Sequence, residues 1–210
     1  MNLDLSIKEY ITDLSSNSPT PGGGNVAALC GVLSTSLGMM MCNLTIGKKK
    51  YLEHDDEMKE LLIRFSELKD RFAELAIKDN EAFDKVMAAF KLPKETDEQK
   101  TLRINSIENA TVEAAQIPFE VIVTCDSLLP LLIRASEIGN QNSMSDIGVA
   151  ISLVNTASEG AFLNVVINCS SLNDRNKGNE ILTNAENFYT KTKSEANNRI
   201  SDLINNMRLK

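Results

Sequence analysis

Residues 55–90 read DDEMKELLIRFSELKDRFAELAIKDNEAFDKVMAAF. Leu61, Phe65, Leu68, Phe72 and Leu75, then Phe83, Val86 and Phe90, fall at the spacing of one helical face. The position that continues this seam after Leu75 is 79, and it holds Asp79. An ionised carboxylate in an apolar seam is costly unless it is paired or has a task. The stretch therefore predicts a long amphipathic helix with a functional candidate inside its seam. Glu81 lies two residues on, about 200° around the helix, and falls off that face.

The surrounding chain agrees with helices packed on helices. Its 210 residues fit one domain with a sizeable core, no Trp is present, and good helix formers dominate. The expected fold is all-α, an up-and-down multi-helix bundle of long helices spanning residues 1–210 as a single domain. A net charge of −7 argues against nucleic-acid binding, which needs a dense basic surface, but leaves room for a local basic island. Cys30, Cys42, Cys125 and Cys169 lack metal-type spacing and sit in apolar neighbourhoods, which suits free buried thiols in a reducing, cytoplasmic setting. His54 is the only histidine, which removes His-rich metal sites and argues against a Ser-His-Asp triad. No basic segment followed by an apolar run opens the chain, so no secretory signal is expected.

Ser6 and Glu9 form a capping-box pattern ahead of a short helix whose face carries Leu3, Ile7, Tyr10, Ile11 and Leu14. Pro19-Thr20-Pro21-Gly22-Gly23-Gly24 then interrupts the chain. Gly22-x-Gly24-x-x-Ala27 has the look of a dinucleotide fingerprint, but the prolines before it exclude the strand that motif requires. What remains is a helix N-terminus rich in backbone N–H groups, which favours an anion. The uncharged run to Gly47 places Ala27, Gly31, Ser34, Thr35 and Gly38 on one small-residue stripe. It is long enough to span a membrane, but its Ser, Thr and Asn residues favour a buried helix in a core or dimer interface. Lys48-Lys49-Lys50 follows as the densest positive run, placed to reach the mouth of the Asp79 cleft.

Thr96 to Gln99 is a second capping box. The helix after it should kink or break at Pro118, and another should run from Phe119 to a C-cap at Gly139. Ser145-Asp146 opens a further helix, where Asp146 also suits the helix dipole. Asn164 and Asn168, one turn apart on an apolar helix, are amides in need of partners. Residues 169–177 read as a loop before a last helix starting near Asn179.

In this order, the proline–glycine run, Leu44-Thr45-Ile46-Gly47-Lys48-Lys49-Lys50-Tyr51, Asp79-Asn80-Glu81-Ala82-Phe83, Lys91-Leu92-Pro93-Lys94, Ser145-Asp146-Ile147-Gly148-Val149-Ala150 and Asn164-Val165-Val166-Ile167-Asn168 resemble the motifs of the cyclodeaminase/cyclohydrolase family. That family includes the cyclodeaminase part of a bifunctional formiminotransferase-cyclodeaminase and stand-alone bacterial methenyltetrahydrofolate cyclohydrolases. Two positions depart from the pattern: Asn25 stands where a small hydroxyl residue is expected, and Cys169 where leucine is expected. The chain is too short to carry a formiminotransferase domain as well.

The resemblance implies a homodimer with a cleft at or near the subunit interface and a tetrahydrofolate derivative as substrate, with no prosthetic group, metal or membrane. Both family reactions act on one carbon between N5 and N10, and both transfer protons beside a cationic, amidine-like carbon. Asp79 is the expected base and cation stabiliser. Asp146 is the second catalytic candidate, as proton-transfer partner or as acceptor for pterin N–H groups. Lys48, Lys49 and Lys50, with the Gly22, Gly23 and Gly24 amides, are expected to hold the anionic glutamate tail, and Ser145, Asn164 and Asn168 to complete the substrate site. Cyclohydrolase is the first expectation and cyclodeaminase the second; a non-catalytic ligand-binding helical dimer is the alternative of another class.

Overall fold

The computed structural model describes residues 5–208. Six α-helices follow one another: α1 (Ile7–Leu14), α2 (Gly23–Thr45), α3 (Asp55–Phe90), α4 (Asp97–Ile138), α5 (Met144–Ser170) and α6 (Arg175–Arg208). Short 3-10 turns at Lys49–His54 and Gln141–Ser143 join α2 to α3 and α4 to α5. No strand occurs among the described residues. Short connections make successive long helices run up and down, with α2 packed on α3 and α5, and α4 packed on α3, α5 and α6.

The α3 seam meets the α2 small-residue stripe. Phe65, Phe72 and Leu75 are fully buried. A Cβ built on Gly31 would lie 2.4 Å from the Phe72 ring, and one on Gly38 would lie 2.9 Å from Phe65. Glycine at these positions lets the two helices close on the rings, and burying each large apolar side chain contributes roughly 1.5–3 kcal/mol. Beyond Asp79 the seam leaves the core. Phe83 and Val86 are half-buried and line a cavity, and Phe90 is exposed with the Arg103 guanidinium of α4 over its ring.

Both capping boxes form: Ser6 with Glu9, and Thr96 with Gln99. On α1 only Tyr10 is buried, whereas Ile7, Ile11 and Leu14 face outward; Leu3 lies outside the described residues. The helix expected to kink or break at Pro118 does not break there: it runs from Asp97 to Ile138, through Pro118 and Pro130. Pro118 has no N–H for the Ala114 carbonyl, and Asn168 Nδ2 of α5 donates to that carbonyl at 2.8 Å. Gly139 caps α4 as expected. The last loop is shorter than its sequence suggests. Asp174 Oδ1 accepts from the Asn176 and Lys177 N–H groups and starts α6 at Arg175. Glu108 holds the loop by accepting from the Asn173 and Asp174 N–H groups.

By length and composition alone, three segments could cross a membrane: Gly23–Thr45, Asp97–Ile138 and Gln141–Ser170. The four cysteines are free thiols, three of them buried.

Candidate active site

A cavity of about 330 Å³ opens at the end of the bundle where α2 begins. The Pro19–Gly24 turn, the Asp79–Val86 part of α3, Ala114 of α4, and Asn164, Ile167 and Asn168 of α5 line it. Asp79 is the only charged residue among those lining it.

The geometry around Asp79 starts with the glycine run. Gly22 caps α2 without a side-chain hydrogen bond, and no acidic residue occupies the first turn of that helix. Its N–H groups are therefore open to an outside anion. That anion is Asp79 itself. The Asn25 backbone N–H donates to its carboxylate, and a Cβ at Gly24 would sit 2.2 Å from Asp79 Oδ1. Only glycine lets the carboxylate come so close to the backbone. Burial pushes the Asp79 carboxyl above its ordinary range, and the hydrogen bond from Asn25 opposes this without overcoming it. No lysine or arginine pairs with Asp79 among the described residues. The lysines nearest in sequence are engaged elsewhere, Lys78 with Glu74 at 2.6 Å and Lys85 with Glu113 at 2.5 Å.

The two asparagines of α5 complete the polar lining. Asn164 Nδ2 donates to the Gly160 carbonyl at 2.8 Å, and Asn168 Nδ2 donates to Ala114. Each amide spends one N–H on backbone and keeps a second N–H and its Oδ1. A cavity lined by one carboxylate, two amides and the Thr20 hydroxyl, with no basic side chain among its lining residues, suits a cationic, N–H-bearing ligand.

Of the sequence candidates, Gly22, Gly23, Gly24, Asp79, Asn164 and Asn168 come together here. Lys48, Lys49, Lys50, Ser145 and Asp146 do not. They sit at the opposite end of the bundle, with roughly 33 Å of α2 between Gly23 and Thr45 at 1.5 Å per residue. The expectation that the lysine run lies at the mouth of the same cleft fails within one chain. The turn joining α2 to α3 instead docks on the α4–α5 junction, where the Gln141 N–H donates to Tyr51 Oη at 3.1 Å and the Asn140 N–H to Thr45 Oγ1 at 2.9 Å. All three lysines are exposed there. At the Gly22–Gly24 turn expected to hold the glutamate tail, the Asp79 carboxylate lies against Gly24 and the Asn25 N–H. Asp146 lies in the first turn of α5, where the helix dipole favours it.

Pro19, Thr20, Phe83, Val86, Ala114 and Ile167 line the cavity without having been marked by sequence as site residues. Phe83 and Val86 were visible only as continuations of the α3 seam. Ala114 had one indirect signal, its place four residues before Pro118. Among the described residues no cluster of three His, Cys, Asp or Glu side chains forms a metal-type set.

Comparison with known proteins gives the family. The chain is 37% identical over 199 residues to a methenyltetrahydrofolate cyclohydrolase from Methylorubrum extorquens, covering 95% of each chain. It is 30% identical over 172 residues to the formimidoyltransferase-cyclodeaminase of Rattus norvegicus, covering 82% of this chain and 32% of that protein. The crystal structure of formiminotetrahydrofolate cyclodeaminase from Thermotoga maritima superposes with a TM-score of 0.86 at 29% identity, over 97% of this chain and 98% of that one. A sequence profile of the formiminotransferase-cyclodeaminase family matches residues 6–187. With helices, motifs and full-length relatives all in register, the chain belongs to the formiminotransferase-cyclodeaminase family.

Proposed function

We propose that this protein is a folate one-carbon enzyme that hydrolyses 5,10-methenyltetrahydrofolate to 10-formyltetrahydrofolate, with Asp79 as the proton-transfer group. One observation carries the reading: a partly buried carboxylate, with no lysine or arginine paired to it among the described residues, is the charged group among those lining the cavity. The methenyl carbon between N5 and N10 supplies the missing positive charge. Water adds to that carbon and loses a proton to Asp79. The C–N5 bond of the adduct then breaks as N5 takes a proton and the adduct hydroxyl gives its proton up, so the formyl C=O stays on N10 and one proton is released overall. Burial raises the affinity of Asp79 for a proton, and the bound cation lowers it. Their balance brings the carboxyl nearer the working pH, where proton transfer is most efficient. A cavity of about 330 Å³ is near the small end of ligand sites, roughly 300–1,000 Å³. It suits the reacting ring system and leaves the glutamate tail outside.

The second reading is formimidoyltetrahydrofolate cyclodeamination, in which N10 attacks the formimino carbon and ammonia leaves. The similarity to the Thermotoga maritima cyclodeaminase favours it. Both reactions use the same lone carboxylate. The full-length similarity to the Methylorubrum extorquens cyclohydrolase puts hydrolysis first.

The protein is further proposed to act as a cytoplasmic homodimer, one domain per chain over residues 1–210, needing neither prosthetic group nor membrane. α2 has no charged residue, and it presents Leu33 and Leu44 to the outside beside Val149, Leu163 and Ile167 of α5. A second copy docked antiparallel on this face would bring the lysine turn and the Ser145-Asp146 end of one chain to the Asp79 cavity of the other. Both of the latter groups then keep the substrate roles their motifs suggest, acting from the partner, with Lys48–Lys50 meeting the tail that the cavity leaves outside. Free thiols support the reducing compartment. The small-residue stripe of α2 lies against α3, which supports a bundle helix over a lipid-facing one.

Absorbance of the methenyl chromophore tests the activity. The purified protein is expected to deplete methenyltetrahydrofolate faster than the uncatalysed rate. It should form the chromophore more slowly from the formimino substrate. The reverse order selects the cyclodeaminase, and absence of both activities overturns the folate reading.

A further inference from the structure

We propose that Asn25 and Tyr10 are positioning residues that fix the turn of α3 carrying Asp79, an inference that rests on the acid–base role of Asp79 proposed above. Asn25 is fully buried in the first turn of α2. Its side-chain Nδ2 donates to the Ala76 carbonyl at 2.7 Å and to Asn80 Oδ1 at 3.4 Å. Ala76 and Asn80 bracket Asp79 in α3, so one amide grips the turn from both sides. The backbone N–H of the same residue donates to the Asp79 carboxylate. Its remaining amide atom, Oδ1, accepts from Tyr10 Oη at 2.9 Å. Every side-chain polar atom of Asn25 therefore ends either on this turn or on Tyr10.

Tyr10 gives the network its outer anchor. It is the one buried residue of α1, so the phenol that ties α1 to the bundle also orients the Asn25 amide. The amide cannot turn over without setting its oxygen against the Ala76 carbonyl. A small hydroxyl side chain at position 25, which the family motif leads one to expect, is too short to bridge from Tyr10 to α3. This chain has an amide of sufficient reach in that place, paired with a tyrosine that fixes its sense. Displacing a catalytic carboxylate by about 1 Å is enough to cost on the order of 10²-fold in rate.

The experiment is steady-state kinetics on Asn25→Ala, Tyr10→Phe and the double variant, with melting temperatures and circular dichroism on each, and Asp79→Asn as the reference. Asn25→Ala is expected to lower kcat by about 10- to 100-fold with KM within about twofold, and Tyr10→Phe, which removes one oxygen atom, to lower it a few-fold. Because Tyr10 works through Asn25, adding Tyr10→Phe to Asn25→Ala should cost nothing further. Unchanged kcat in both single variants overturns the proposal. So do losses that appear in KM alone, losses that track melting temperature, or losses that multiply in the double variant. A near-normal rate in Asp79→Asn is a separate outcome: it removes the acid–base reading of Asp79, and with it anything to position.

Discussion

The Asp79 carboxylate lies against Gly24 and the Asn25 N–H at the start of α2, and no lysine or arginine pairs with it among the described residues. Its pKa is raised above that of an ordinary aspartate, chiefly by burial. A group raised on folding contributes stability that is fully present below its unfolded pKa and is lost as pH rises through its folded pKa. The contribution is lost progressively as pH rises out of the acidic range. An uncharged Asp79→Asn chain, which still accepts from the Asn25 N–H, should melt at or above the wild-type temperature at pH 7. The gap should close as pH falls into the acidic range, a comparison that calorimetry across pH makes directly. Gly24→Ala puts a methyl group within 2.2 Å of Asp79 Oδ1. It should keep the helical circular-dichroism spectrum while lowering kcat by about 10²-fold as the carboxylate is displaced. Asp79 was legible from period alone, because a charge in an apolar seam breaks a local pattern. The reason for Gly24 was not, because its contact lies 55 residues away and no local preference records it.

Elements were legible where their determinants are local. The α3 boundaries and both capping boxes follow from residues three or four apart. The continuity of α4 does not, because Pro118 is a local break repaired from a distance: the Asn168 amide of α5 takes up the Ala114 carbonyl. Asn168→Leu should leave that carbonyl unpaired and destabilise the fold by about 1–3 kcal/mol in urea denaturation. In a Pro118→Ala background, which restores the backbone N–H, the same substitution should cost less. Equal costs in both backgrounds would separate Asn168 from the proline. The same amide thus supports α4 and lines the cavity, so an odd polar residue on an apolar helix has a structural partner as well as a place in the site.

At the scale of the molecule, the sequence lists the site's candidates but not their distribution. The motifs follow one another along the chain, yet an up-and-down bundle sends alternate loops to opposite ends. Lys48–Lys50 and Asp146 therefore lie far from Asp79 in one chain. If the partner supplies them, mixing an Asp79→Asn protein with a Lys48→Ala/Lys49→Ala/Lys50→Ala protein, each impaired alone, should restore activity through mixed dimers with one intact site. Activity no higher than the sum of the two would assign the lysines no role in trans. Charge at the outer face bears on the same point: Leu33→Glu should shift the protein towards monomer in analytical ultracentrifugation and lower activity with it. The most direct measurement remains the rate of methenyltetrahydrofolate hydrolysis by Asp79→Asn at neutral pH, with folding verified by circular dichroism. A folded variant slowed by about 10²-fold or more is the expected result, as for loss of a positioned acid–base group; a folded variant with a near-normal rate would contradict the role assigned to Asp79.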